Sequence, residues 1–398
     1  MSSKVVGDSS KDGEKFDFND ICIRTSYRLY NLSIMINAKM VNPNYYYPNE
    51  FEEKGNIFFE NYGLVKEFGP SEEKISGLKP KNSRICRFCS RKYPLVSFNM
   101  DAHIIPEMLG RNKMISDFEC DECNTKFGKY ENDFANFLGI SRTANFIKGK
   151  EKIPKFKSAN KNLVAETLDD PEDGNIISIK RFDGLDKTFE FDKENRQTII
   201  TYTKGPYTPL KIYKYFVKLG LSMLPESDLH YYEFAMKYIR SEKHDKEVTG
   251  FAMMQGYQMP LTFQYRNPAF FLFKKKDIRK SLFNHVFYLS TLNHIFQIVL
   301  PFNINDRPFY TNSIKTYWCP PLFGDDKKFE TGFVSKFSMD LNVSDRQYGK
   351  TEQLIIPTPE GEYDKSKILN KITGEITERP FDPSQIIGID IQRIEVDE

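Results

Sequence analysis

"CRFC" (residues 86–89), "MDAHIIPEMLG" (residues 100–110) and "ECDECN" (residues 119–124) are the stretches that decide how this part of the chain folds. Two C-x-x-C pairs enclose one histidine, which lies in a short apolar run that ends at a proline. Paired C-x-x-C motifs are typical of metal ligands in a reducing compartment. Whether His103 packs in a core or takes part in chemistry depends on what these pairs build around it.

The two cysteine pairs predict one tetrahedral Zn²⁺ site. Each pair forms a tight turn that points two thiolates at the same ion, and four thiolates leave no open position, so the site is structural. A redox dithiol is the alternative, but such a motif usually shows one pair. The predicted zinc ligands are Cys86, Cys89, Cys120 and Cys123.

The segment between the pairs is longer than a plain zinc site needs. Residues 90–119 separate the pairs, which exceeds the spacing of about 15–20 residues in simple two-knuckle sites. "LVSFNMDAHIIP" (residues 95–106) alternates as a strand does, which predicts that Asp101 and His103 project to the same side. Pro106 should end this strand.

A helix is predicted after the second pair, over "DECNTKFGKYENDFANFLG" (residues 121–139). Asn124 falls in its first turn and Asp121 is the predicted cap. The aromatic and aliphatic residues that share one face of this helix are its predicted buried side; they are Phe127, Tyr130, Phe134, Phe137 and Leu138.

This order of elements resembles the HNH endonuclease family, and within it the four-cysteine subgroup of the ββα-metal fold. The resemblance rests on "CRFC", "AHIIPEMLG" and "ECDECNTKFG", and it covers residues 84–140. It implies that His103 is the general base that activates water. It also implies that Asn124 binds or positions a catalytic metal and that the four cysteines hold zinc.

The chain departs from the family pattern at two places. Many members carry a metal-binding acid immediately before the histidine, where this chain has Ala102. Asp101 is the expected substitute, with Glu131 and Asp133 as weaker candidates. The middle asparagine of the family has no clear counterpart, and Asn112 is a poor match.

The resemblance implies a metal-dependent HNH endonuclease that hydrolyses phosphodiester bonds, mainly in DNA, with structural Zn²⁺ and catalytic Mg²⁺ or Mn²⁺. The alternative function is a non-catalytic zinc-binding module for nucleic-acid or protein interaction. A restriction or anti-phage effector is the expected biological setting, by analogy with architectures in the family.

The remaining sequence predicts an α+β fold with a larger mixed C-terminal domain. We expect a mobile tail over residues 1–18, a partly strand-like segment over 19–83, the zinc-bound unit over 84–145 and an α+β domain over 155–398. The last domain is expected to sense, to recruit or to dimerise, through a homodimer or an activating partner.

Composition adds few restrictions. The net charge is +2, which does not argue for nucleic acid by itself, although residues 74–92 carry seven basic residues and no acid. These basic residues either contact phosphate or offset the zinc–thiolate charge. The second basic cluster, residues 274–280, is predicted to be a solvated face. Without an apolar run of 18 residues or a signal peptide, no membrane contact and a cytoplasmic location are expected.

Overall fold

The computed structural model describes most of the chain. The described residues are 5–6, 21–27, 38–42, 45–69, 77–110, 112–149, 151–170, 174–182, 188–192, 194–195, 197–242, 251–259, 265–309, 315–324, 334–357, 365–369, 376–380 and 386–393. The predicted mobile tail (residues 1–18) lies outside them, apart from a two-residue strand at Val5–Val6.

Helices and strands mix along the described chain, which confirms the predicted α+β class. The α-helices are α1 (Glu52–Asn61), α2 (Asp121–Leu138), α3 (Ser141–Ala144), α4 (Pro209–Met223) and α5 (Glu233–Arg240). The first ten strands are β1 (Val5–Val6), β2 (Ile21–Tyr27), β3 (Ala38–Asn42), β4 (Tyr45–Pro48), β5 (Tyr62–Phe68), β6 (Phe156–Lys157), β7 (Leu163–Asp170), β8 (Gly174–Arg181), β9 (Phe189–Asp192) and β10 (Gln197–Thr203). The others are β11 (Met253–Gln258), β12 (Tyr265–Lys275), β13 (His285–Leu292), β14 (His294–Val299), β15 (Ser335–Asp340), β16 (Thr351–Pro357), β17 (Lys365–Leu369), β18 (Ile376–Pro380) and β19 (Ile386–Arg393).

An antiparallel sheet of order β15-β11-β14-β13-β12-β5 separates two hydrophobic cores. Because side chains alternate across a strand, Phe270 and Leu272 of β12 face one core while Phe271 and Phe273 face the other. The first core contains residues of α2, α4 and α5 together with the cysteines of the two C-x-x-C pairs. The second contains residues of α1 and the strand-free segment around Cys319.

Two further sheets, of six and three strands, contribute side chains to a third hydrophobic cluster. Their orders are β1-β2-β19-β8-β7-β6 and β16-β10-β9. Runs of alternating apolar residues in the sequence, such as "NIISIKRF" and "QTIITYTKG", form β8 and β10 of these sheets. Their alternating apolar residues pack together with Ile140, which follows α2.

Two prolines in the sequence correctly predict where helix α4 begins and ends. More of its residues are buried than its helical spacing predicts. Pro209 begins it and Pro225 follows its end, as the sequence indicates. Helical spacing predicts one buried face, whereas nearly every residue of α4 is buried, including Lys214 and Lys218. The helix is enclosed because α2 packs on one side and the central sheet on another.

The described contacts run across the predicted domain boundary at residues 145–155. Helix α2 packs against α4, and Tyr130 donates a hydrogen bond to the carbonyl of Ile239 over 3.1 Å. Strand β5, from the N-terminal segment, pairs with β12. The division into domains remains a prediction, and the elements on either side of it share the first core.

The prediction that residues 274–280 form a solvated face is wrong for Lys275. Lys275 is 1% exposed in its side chain and its Nζ lies 3.4 Å from Oδ1 of Asp306. Its neighbour Lys274 pairs with Asp228 over 2.6 Å. Strand alternation carries these residues to opposite faces of β12, so a run of charges does not mark one surface.

No helix within the described ranges is both long enough and apolar enough to span a membrane.

Candidate functional site

The four cysteines of the two C-x-x-C pairs converge. Their sulfur atoms all lie within 4.8 Å of one another, and the Cys89 and Cys120 sulfurs are 3.8 Å apart. A tetrahedral site with Zn–S bonds of about 2.3 Å separates its sulfurs by about 3.8 Å, so the spacing and the donor set both suit Zn²⁺. The four thiolates are placed to hold one metal ion.

Local backbone geometry forms the first metal-binding turn. The Cys86 N–H donates to the Arg91 carbonyl over 2.8 Å, and the Ser90 N–H donates to the Cys86 carbonyl over 2.8 Å. Ser90 closes the turn with a positive φ of 60°. Hydrogen bonds from the Cys123 and Cys86 thiols lower the pKa of Cys120 to about 4, as suits a metal thiolate.

His103 lies on a short hairpin between the two cysteine pairs. The Ile104 N–H donates to the Met114 carbonyl and the Ser116 N–H donates to the Ala102 carbonyl, each over 2.8 Å. The continuous strand predicted for residues 95–106 is wrong, because within this segment only His103 forms a bridge, with Ile115.

The two ring nitrogens of His103 face different partners. Nδ1 lies 3.3 Å from Oδ1 of Asn112, and Nε2 lies 3.6 Å from Oε1 of Glu107. The side chain is 17% exposed, so the ring is accessible only at one edge. The His103 side chain is thus neither fully buried in the core nor fully exposed to solvent.

Asn112, which the sequence alone makes a poor match to the family's middle asparagine, contacts both the turn and His103. Its amide nitrogen donates to the carbonyls of Ile105 and Gly110, over 3.1 and 3.0 Å, and its Oδ1 accepts from the Met114 N–H over 3.0 Å. Three backbone contacts fix which end of the amide is oxygen. His103 Nδ1 must therefore carry the proton toward Asn112, and Nε2 keeps its lone pair.

A signal for Asn112 was available in the turn itself. Gly110 adopts a φ of +145°, which an asparagine two residues later can stabilise by bonding back to its carbonyl. An asparagine two residues after a glycine turn is the pattern to look for.

Asn124 lies in the first turn of α2, as predicted, and is half-buried. The described hydrogen bonds do not join it directly to His103. What ties this turn to the histidine segment is Asp121, whose carboxylate accepts from the N–H groups of Asn99 and Met100 over 3.0 and 2.8 Å.

The predicted cap at Asp121 is wrong in detail. The residue that precedes the helix is Cys120, and the Asp121 carboxylate holds the preceding segment rather than its own helix. Burial alone would raise the pKa of Asp121, but hydrogen bonds from Ser97, Asn99 and Met100 outweigh it and lower that pKa.

The three predicted carboxylates occupy very different places. Asp101 is exposed, and no hydrogen bond or ion pair among the described residues involves its side chain. Asp133 is buried and accepts from the Thr208 N–H over 2.7 Å at the start of α4. Glu131 accepts from the Tyr215 hydroxyl over 2.8 Å, and burial raises its pKa.

The basic residues near the first cysteine pair are mostly engaged within the protein. Arg87 donates to the carbonyls at the end of α4 and lies 4.0 Å from the Phe118 ring. Arg91 pairs with Glu122. Behind the cysteines, the buried Lys218 of α4 pairs with Glu119 over 2.9 Å.

The comparisons with known proteins find one match. Residues 86–136 match the family model described as HNH endonuclease. No curated protein and no solved structure matches the chain. The matched residues begin at the first cysteine and end within α2, so they span the cysteine cluster and His103. Residues 86–136 are thus similar to an HNH endonuclease segment, and their four cysteines are placed where they could hold one metal ion.

Proposed function

We propose that this protein is a metal-dependent HNH endonuclease that hydrolyses phosphodiester bonds in DNA. The observation that carries the proposal is the orientation of His103, whose Nδ1 lies against Asn112 while Nε2 lies on the side of the partly exposed Glu107 carboxylate. A histidine whose Nδ1–H is held by an amide oxygen has Nε2 as its basic nitrogen, which is the form of a general base.

His103 would take the proton of the attacking water at Nε2. A neutral imidazole can accept a proton through its unprotonated ring nitrogen. The Asn112 oxygen would hold the Nδ1–H and stabilise the imidazolium that forms. Catalytic pairs of this kind depend on orientation as much as on proton affinity.

Two metal sites would have separate roles, one in stability and one in catalysis. Zn²⁺ at the four cysteines would stabilise the small unit, because a closed tetrahedral site has no position for substrate. Mg²⁺ or Mn²⁺ in the second site would neutralise the phosphate and stabilise the leaving oxygen. Asn124, with an amide oxygen that suits such a hard ion, and Asp101 are the ligands that the sequence predicts there.

A plasmid-nicking assay with the full chain tests the proposal. We expect His103→Ala to slow nicking in Mg²⁺ or Mn²⁺ by about 100-fold or more, the usual contribution of a general base. His230→Ala is the matched control, since His230 is exposed and lies in a different part of the chain.

Equal nicking by wild type and His103→Ala would remove the proposal. A wild type that binds nucleic acid or protein but cuts nothing would favour the non-catalytic zinc-binding module. Ala102, buried where relatives carry an acid, is the observation that supports that second function.

A defence role is the proposed setting, with residues 155–398 as the part that senses, recruits or dimerises, through a homodimer or an activating partner. What supports it is the direct packing of α4 on α2, by which a change in one part would reach the other. Phage plating on cells that express wild type or His103→Ala tests the setting. Equal plating efficiency under every trigger would contradict it.

A further inference from the structure

Two carboxylates lie close to His103 in the sequence, and the structure separates them. Asp101 precedes the histidine by two residues and is exposed, without a hydrogen bond or ion pair among the described residues. Glu107 follows it by four residues, and its Oε1 lies 3.6 Å from Nε2 of His103. The nearer carboxylate is therefore the one that the family pattern does not indicate.

The chain after His103 turns in a way that fixes Glu107. Pro106 ends the extended segment, and Glu107–Leu109 form one turn of 3-10 helix, closed by the Leu109 N–H on the Pro106 carbonyl over 3.0 Å. Met108 and Leu109 are buried. Because Arg142 also donates to the Met108 carbonyl over 3.0 Å, the turn is anchored at both its side chains and its backbone.

This anchoring leaves Glu107 beside the reactive nitrogen and partly open to solvent. Its side chain is 32% exposed, against 17% for His103. Among the described residues, its side chain has no lysine or arginine partner within ion-pair distance. A half-exposed carboxylate without a cationic partner, next to the base, is a hard oxygen donor that remains available to a divalent ion.

We propose that Glu107, rather than Asp101, is the acidic ligand of the catalytic divalent cation. The inference rests on the proposed nuclease function. It also explains how the chain tolerates Ala102: the side chain at 102 is buried in the hairpin, and the carboxylate comes from the following turn instead. Glu107 and Asn124 would then supply oxygen ligands from two different elements.

A different role for Glu107 makes a different prediction. If the carboxylate served only as a charge partner of the His103 ring, its removal would alter cleavage and leave cation affinity unchanged. Cation binding measured without substrate therefore separates the two roles, and it does not depend on whether the protein cuts DNA.

The test is a Mn²⁺ titration of the zinc-loaded full chain, followed by electron paramagnetic resonance of free Mn²⁺. We expect Glu107→Gln to weaken Mn²⁺ binding by about tenfold or more, since even indirect metal contacts are worth that much. Asp101→Asn, an amide substitution of the same kind, should change it by less than about twofold. Glu107→Asp keeps a carboxylate and should fall between.

The outcomes are distinct. Unchanged Mn²⁺ affinity in a folded, zinc-replete Glu107→Gln variant, or a larger loss in Asp101→Asn, would overturn the assignment. His103→Ala should keep Mn²⁺ binding and lose nicking. If wild type does not nick DNA but the Glu107→Gln loss is seen, the proposed nuclease function fails while the cation site stands.

Discussion

The orientation of one histidine depends on an asparagine nine residues later. Asn112 is buried, and its amide contacts two carbonyls and one N–H of the turn as well as the His103 ring. It thus holds the loop and selects the histidine tautomer at once. At the scale of single residues, the site is organised around Asn112 as much as around His103.

Replacing Asn112 should affect both stability and cleavage. Asn112→Ala leaves buried backbone groups without partners, which should lower the free energy of unfolding by about 2–3 kcal/mol. The ring of His103 would lose its tautomer, and nicking should fall by more than about tenfold. Urea unfolding and the plasmid assay measure the two effects.

Asn132→Ala is the matched control, because Asn132 is exposed on α2. Its effect on the free energy of unfolding should stay within about 0.5 kcal/mol. Equal destabilisation by the two variants would contradict the role assigned to Asn112.

At the scale of elements, side chains of residues 86–136 cap α4 at both ends. Asp133 accepts from the Thr208 N–H at the start of the helix. Arg87 donates to the carbonyls of Leu221, Ser222 and Leu224 at its end, over 3.0, 2.8 and 3.2 Å. A negative charge at the N-terminus and a positive charge at the C-terminus both match the helix dipole.

Arg87→Met should therefore destabilise the protein, whereas Arg91→Met should not. The first variant loses three charge-assisted hydrogen bonds at a helix end, and we expect a loss of about 2 kcal/mol in the free energy of unfolding. Arg91 forms an exposed pair with Glu122, whose removal should leave the free energy of unfolding nearly unchanged.

Arg87 lies inside the first cysteine pair and Arg91 lies two residues after it, so both variants remove a positive charge beside the same cysteines. Chemical unfolding of the two zinc-loaded variants measures the difference. If Arg91→Met lowered the free energy of unfolding as much as Arg87→Met, then Arg87 would not stabilise the protein by capping α4.

At the scale of the whole molecule, the central sheet links the metal cluster to distant parts of the chain. The cysteines belong to the core on one face of the sheet, and the single tryptophan, Trp318, packs beside the core on the other face. Strands β12, β13 and β14 contribute side chains to both cores. Loss of a metal bound at these cysteines should therefore destabilise parts of the chain beyond residues 86–136.

Removal of zinc should shift unfolding seen by Trp318 fluorescence to lower urea. An ion present at about 1,000 times its Kd stabilises the folded state by about 4 kcal/mol, and chelation removes that contribution. Fluorescence and far-ultraviolet circular dichroism should move together, and Zn²⁺ but not Mg²⁺ should restore both. If the urea midpoint of the Trp318 fluorescence transition were the same with and without zinc, the two cores would unfold independently.

The sequence by itself determined the metal cluster, the helix that follows it and the α+β class. These features depend on local spacing: two residues between thiolates, apolar residues at helical intervals, and prolines at the ends of α4. Local spacing is readable because the turns and helices it encodes need no distant partner. Residues 86–136 were therefore identifiable before any fold was known.

Only the tertiary structure decided which polar groups surround His103 and what α4 contacts. Asn112 and Glu107 are close in sequence, but the turn at Gly110 and the 3-10 turn after Pro106 set where their side chains point. Lys218 meets Glu119 only because α4 packs on α2. Such contacts depend on the packing of segments from different parts of the chain, which periodicity along one segment does not encode.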